Sequence, residues 1–225
     1  MLAIVDYAKG NLMSVARGLA AAGARDVQIV SEPEQILQAD AVVLPGVGAF
    51  ADAAHAMQKS GQMDAVRQAI DAGTPFLGIC LGLHLLFEAG TEGADQEAGA
   101  NAQAASSSQP TVPGLGVIPG IVDRMPNHNQ DGAFFKVPHV GWNTVHRLSA
   151  CDSPLLAGID EGEHFYFTHS YIAPPSSFTH ATCAHSVEFP CFVDVGGTCF
   201  GVQFHPEKSS DAGLRVLANF VSLVR

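Results

Sequence analysis

This sequence predicts an α/β fold on a mostly parallel sheet, and three observations carry the prediction. Short apolar runs alternate with helical patterns from Leu2 to about Ile79. The runs are continuously apolar, as strands covered on both faces are, without the alternation of half-solvated ones. Glycines stand where the helical patterns stop, at Gly23 and Gly73. With 225 residues, 47% of them hydrophobic, the chain can bury a core without disulfides.

Taken in order, Leu2 to Val5 reads as a first strand, and Asp6 to Gly10 as a turn. Asn11 opens a helix whose apolar face is Leu12, Val15, Ala16 and Leu19. Val27 to Val30 and Ala41 to Leu44 read as buried strands. Met63, Val66 and Ile70 mark one face of a later helix, and Pro75 to Ile79 the next strand. Strands joined by helices imply right-handed crossovers and a parallel sheet. Residues 93–113 are rich in Ala, Ser, Gln and Gly, and read as a surface insertion within a single domain spanning 1–225. Beyond it come short runs: Gly116 to Val122, Ala133 to Val137, His164 to Phe167, His180 to Cys183, Cys191 to Val195 and Cys199 to Phe204. These read as mixed or antiparallel strands added at one edge and end of the sheet. A last helix covers roughly Asp211 to Val224.

Charge and cysteine content narrow the function. The net charge is −11, with 22 acidic against 11 basic side chains, which argues against a nucleic-acid footprint. No run approaches the ~20 apolar residues of a membrane span. The start lacks a basic segment and reads as a strand rather than a signal peptide. The five cysteines are odd in number and form no C-x-x-C pair, so a reducing, cytoplasmic setting is expected.

Chemistry concentrates in two places. In Gly78-Ile79-Cys80-Leu81-Gly82, an apolar strand ends at a cysteine with glycines two residues to either side, and an apolar helix, Leu81 to Phe87, follows. This is the cysteine form of a nucleophile elbow, with the glycines relieving crowding in a tight turn. Backbone N–H groups at the helix start favour a thiolate and can hold an oxyanion. A buried packing cysteine in a Gly-rich turn is the alternative. Downstream, Gly201-Val202-Gln203-Phe204-His205-Pro206-Glu207 delivers polar residues at the end of another apolar run, where open α/β sheets bind ligands. His205 can act as general base and acid, and Glu207 can orient it. Alone, His-Pro-Glu is better read as a surface turn; the elbow cysteine reverses that.

Together, the two motifs resemble the class I (triad) glutamine amidotransferases, over nearly the whole chain. The closer resemblance within that class is to the glutaminase subunits of imidazole glycerol phosphate synthases, which serve histidine biosynthesis. Its carriers are Asp6 to Asn11, Pro45 to Phe50, Gly114 to Gly120, Lys136 to Asn143, Phe165 to Tyr171 and Gln203 to Ser209. The resemblance implies a flavodoxin-like fold and a triad of Cys80, His205 and Glu207. It implies an oxyanion hole from the backbone of Val47 and Leu81, on an oxyanion strand that two glycines let reorient. Glutamine would be held by Gly48, His84, Glu92, Ser170 and Tyr171. Asn11, Trp142 and Lys208 match positions at the interface with a (β/α)8-barrel cyclase subunit, which forms a heterodimer with the glutaminase. Neither cofactor nor metal is implied.

One departure stands out: where the family elbow commonly has Cys-x-Gly-Met-Gln, this chain has Cys80-Leu81-Gly82-Leu83-His84. Imidazole offers one donor and one acceptor where the amide has two donors and an acceptor. The insertion and the loop Asn127 to Gly132 are also longer than usual. Cys183, Cys191, Cys199 and His185 have no metal-ligand spacing and read as packing. Pro45 to Gly48 lacks the Lys-Ser or Lys-Thr ending of a P-loop. Two other readings remain: a glutaminase for a different synthase, such as one forming anthranilate or pyridoxal phosphate, and a binding subunit that has lost turnover.

Overall fold

The computed structural model describes residues 1–94, 110–148 and 152–224. Strand β1 (Leu2–Val5) leads through helix α1 (Leu12–Ala21) to β2 (Val27–Val30), and α2 (Pro33–Leu37) leads to β3 (Ala41–Gly46). Helices α3 (Phe50–Ser60) and α4 (Gln62–Asp71) precede β4 (Phe76–Cys80) and the short α5 (Leu81–Leu85). Then follow β5 (Phe87–Gly90), β6 (Val112–Pro113), β7 (Ile118–Arg124), β8 (His139–Arg147), β9 (Glu163–His169) and β10 (Tyr171–Ile172). Strands β11 (Thr179–Ala184), β12 (Glu188–Val195) and β13 (Cys199–Val202) lead to a 3-10 turn (Pro206–Lys208) and α6 (Ser210–Ser222).

The main sheet has the order β2-β1-β3-β4-β13-β12-β11-β8-β9. Its first five strands are parallel, in the order of flavodoxin-like sheets with β13 as fifth strand. The last four are antiparallel. Strand period sorts side chains between two cores. Ala3, Val5, Val42 and Leu44 point to the face covered by α2, α3 and α4, with Ile36, Phe50, Met57 and Val66. Leu2, Ile4, Val43, Leu77 and Ile79 point to the other, with Val15 and Leu19 of α1 and Val216 and Phe220 of α6. Both faces are apolar because both are buried, which is why these strands read as unbroken hydrophobic runs.

Several expectations are corrected. The extra strands do not all extend one sheet: β10, β7, β5 and β6 form a separate four-stranded sheet. The elbow helix stops at Leu85 instead of Phe87. The carbonyl of Leu85 accepts the N–H of Leu115, and that of Leu86 accepts those of Val117 and Ile118, so the next residues enter a sheet. Ala133 to Val137 is not a strand; among the described residues it pairs only through a bridge between His128 and Phe134. Of the 93–113 segment, residues 95–109 lie outside the described residues, while Val112–Pro113 forms β6 against β5. Among the described residues, no helix is long and apolar enough to cross a membrane.

Candidate active site

Three adjacent strands, β3, β4 and β13, end at one edge of the sheet, and each delivers a part of the site. Gly46 of β3 is in register with Cys80 of β4, and Val202 of β13 with Ile79. Cys80 has φ 54° and ψ −104°, outside the ordinary regions for an L-residue. The surrounding glycines permit the turn. A Cβ on Gly82 would lie 1.8 Å from the Leu44 carbonyl oxygen, and one on Gly78 would lie 2.5 Å from that of Gly82. The backbone is packed too closely there for any side chain.

His205 follows β13 by three residues. Its backbone N–H donates to the carbonyl of Tyr166 (2.9 Å), and the Ser209 hydroxyl donates to its own carbonyl (2.6 Å). Pro206 starts the 3-10 turn, so Glu207 comes back beside the imidazole, with its Oε1 2.9 Å from His205 Nδ1. The two side chains are 4% and 1% exposed. Burial opposes a charge on His205, but the approach of Cys80 and of Glu207 outweighs it and raises the pKa to about 9. Nε2, the nitrogen not held by Glu207, is the one turned toward Cys80.

A cleft of about 410 Å³ gathers most of the residues expected at the site. Cys80, His205, Val47, Gly48, Leu81 and His84 line it, and so do Glu92, Ser170, Tyr171 and Lys208. Glu92 accepts the N–H of Phe50 at the start of α3 (3.1 Å), and burial raises its pKa. Burial lowers His84 to about 4, partly offset by Gln203, so the ring is neutral near pH 7. Asn11 and Glu207 are outside this cleft; with Val47 and His205 they line a water-sized cavity of about 10 Å³ behind it. Trp142 is also outside, 52% exposed on β8, its ring edge-on to Tyr166. Tyr166 carries the Lys208 ammonium at 5.8 Å from its ring centroid. Trp142 and Lys208 therefore share one surface beside the cleft mouth.

Helix α5 has only five residues. Any anion at Leu81 would therefore meet individual backbone N–H groups and little macrodipole, unlike the sequence expectation. Cys183, Cys191 and Cys199 are buried with free thiols, and burial pushes Cys183 and Cys199 up to about 12. That suits packing. Among the described residues, no group of three or more His, Cys, Asp and Glu is placed to hold a metal.

Sequence reasoning assigned no role to Thr168, His169 and Gln203, although all fall inside the quoted motifs. Thr168 and His169 line the cleft. Gln203 is fully buried and reaches Cys80 Sγ at 3.7 Å. A polar residue inside an apolar run, two positions before His205, was the available signal.

Comparison with known proteins speaks to the family and the fold. The family model "Glutamine amidotransferase class-I" matches residues 3–223. A protein of Synechococcus sp. (strain JA-3-3Ab), "Imidazole glycerol phosphate synthase subunit HisH", is 44% identical over 225 residues, covering 99% of this chain and 94% of its own. A protein of the same name from Moorella thermoacetica is 43% identical over 228 residues, with 100% and 95% coverage. Among solved structures, a crystal structure of a glutamine amidotransferase aligns with a TM-score of 0.67 at 20% identity, covering 99% of this chain and 98% of that one. At that identity the likeness speaks for the fold alone.

Proposed function

Because this chain belongs to the class-I glutamine amidotransferases and, within them, to the HisH subunits of imidazole glycerol phosphate synthase, we propose that it hydrolyses L-glutamine and hands the ammonia to a cyclase partner. The observation that carries the reading is the meeting of Cys80, His205 and Glu207, the first two at the wall of one cleft and the third behind them.

The Cys80 thiolate adds to the carboxamide carbon, forming a C–S bond and an oxyanion held by the N–H groups of Leu81 and Val47. His205, cationic through Cys80 and Glu207, gives its Nε2 proton to the amide nitrogen. The C–N bond breaks, and ammonia and a glutamyl thioester result. Water, losing a proton to His205, attacks the thioester; the C–S bond breaks and glutamate leaves. Gly48, His84, Glu92, Ser170 and Tyr171 hold the glutamine, with Glu92 suited to its ammonium group.

The ammonia passes through a (β/α)8-barrel cyclase bound over Asn11, Trp142 and Lys208 in a heterodimer. There it reacts with phosphoribulosyl-formimino aminoimidazole carboxamide ribonucleotide. The products are imidazole glycerol phosphate and aminoimidazole carboxamide ribonucleotide, in histidine biosynthesis in the cytoplasm. Residues 1–225 serve as one amidotransferase domain carrying the 93–113 insertion.

The test is Cys80→Ala in complex with the cyclase. Glutamine-dependent synthesis should vanish, while synthesis from added ammonium salt stays at the wild-type rate. Glutamine-dependent turnover in that variant would overturn the assignment. Glutamate release by the wild type only with a different synthase would overturn the choice of partner.

A further inference from the structure

The steps above leave Gln203 unused beside the nucleophile, and give its buried neighbour His84 only a contact with glutamine. Gln203 is 0% exposed and His84 3%. Gln203 bridges them: Nε2 lies 3.7 Å from Cys80 Sγ, and Oε1 lies 2.7 Å from His84 Nε2. His84 also lines the cleft, whereas Gln203 does not.

The two ends of an amide are opposite in kind, one donating and one accepting. A donor aimed at the sulfur stabilises a thiolate, and an acceptor there disfavours it. Two neighbours fix which end faces Cys80. The Thr168 carbonyl, 4.0 Å from Sγ, can only accept and so gives a thiolate no donor. A thiolate only accepts, so the end of the amide that faces it is the donating Nε2, at 3.7 Å. Oε1 is left facing His84, whose ring is neutral and carries one hydrogen. That hydrogen sits on Nε2, since a bare nitrogen would confront the amide oxygen lone pair to lone pair.

We propose that Gln203 is a positioning residue that donates an amide N–H to the Cys80 sulfur, and that His84 locks the amide in that orientation by donating Nε2–H to its oxygen. The proposal rests on Cys80 being the nucleophile. It also accounts for the His84 departure: a glutamine side chain can bring its own NH₂ to nearly the place of imidazole Nε2. The other titratable groups facing Cys80 are His205 and Tyr7, with Glu207 behind His205 and His169 near His84.

The test reads Cys80 directly. Alkylation by iodoacetamide is followed from pH 5 to 9, and peptide mass spectrometry scores only the Cys80 peptide. Gln203→Met, which keeps the shape and loses both polar ends, should slow alkylation about tenfold below the midpoint and move the midpoint up by about one unit. His84→Asn, whose amide reaches the Nδ1 position only, should move it the same way. His84→Gln, which restores a donor near Nε2, should bring the midpoint back to the wild-type pH. In the complex, Gln203→Met should lower kcat with KM within about twofold, because Gln203 does not line the cleft.

Thermal melts establish that each variant is folded. Should Gln203→Met fail to fold, the His84→Asn and His84→Gln pair decides alone. A midpoint unmoved in folded His84→Asn, or one that His84→Gln does not restore, overturns the proposal. Alkylation needs neither glutamine nor cyclase, so this failure is separate from loss of the functional reading, which would show as wild-type protein inactive with both.

Discussion

Cys80 holds a backbone conformation, φ 54° and ψ −104°, that costs an L-residue about 1–3 kcal/mol and that glycine adopts freely. Cys80→Ala keeps that strain and Cys80→Gly releases it, against about 0.4–1 kcal/mol of extra chain entropy in the unfolded state. Cys80→Gly should therefore melt above Cys80→Ala by a few degrees in a thermal scan. Equal or inverted melting temperatures would mean that the elbow carries no strain. At this scale much of the site was legible, because Cys80, His205 and Glu207 announce their chemistry by residue type and by position at strand ends. Gln203 did not, because its partners, Cys80 and His84, are distant in sequence; only folding puts its amide between them.

Among the elements, α6 does more than cover the sheet. Its Gly213 lies so close to the Glu207 turn that a Cβ would stand 2.0 Å from the Pro206 carbonyl oxygen and 2.8 Å from Ser209 Cβ. Gly213→Ala should push the helix off that turn, at a cost of about 1–3 kcal/mol. It should also displace Glu207 and His205, and glutaminase turnover should fall by up to about 100-fold, since small displacements of catalytic groups carry such penalties. A melting curve and a steady-state assay check both; full turnover in the variant would show that the turn holds its place without the helix. The parallel strands β1 to β4 were legible because burial on both faces leaves unbroken apolar runs. Strand β8 was not predicted as a strand. Within His139–Arg147 only His139 and Val145 are buried, so hydrophobic spacing had little to mark. Likewise, α5 looked longer in sequence because the residues that end it, Leu115, Val117 and Ile118, arrive from a later segment.

For the molecule as a whole, buried histidines set the pH range of stability. His84 and His139 are lowered to about 4, the first by burial and the second by burial and then His185, and burial puts His169 well below its ordinary value. The unfolded chain binds protons at these sites first, so as pH falls from about 6.5 toward 4 stability is lost. His205 works in the opposite direction. Its pKa is raised to about 9, so its contribution is complete below about 6.5 and is lost as pH rises through about 9. The melting temperature should peak near pH 6.5–7 and fall on both sides. Glu207→Gln should flatten the alkaline limb and leave the acid limb in place; a wild-type alkaline limb that is already flat would contradict the His205 assignment.

Strand β13 lies between β4 and β12, at the join of the parallel and antiparallel halves of the sheet, and 123 positions separate Cys80 from Gln203 just beyond it. On the ribosome, a nascent chain that has emerged only through β9 already carries the cysteine, the oxyanion turn and much of the glutamine cleft. It still lacks Gln203, His205 and Glu207, and β4 still has an open edge where β13 will pair. On the proposed assignment, glutamine turnover therefore requires that the fifth parallel strand has docked.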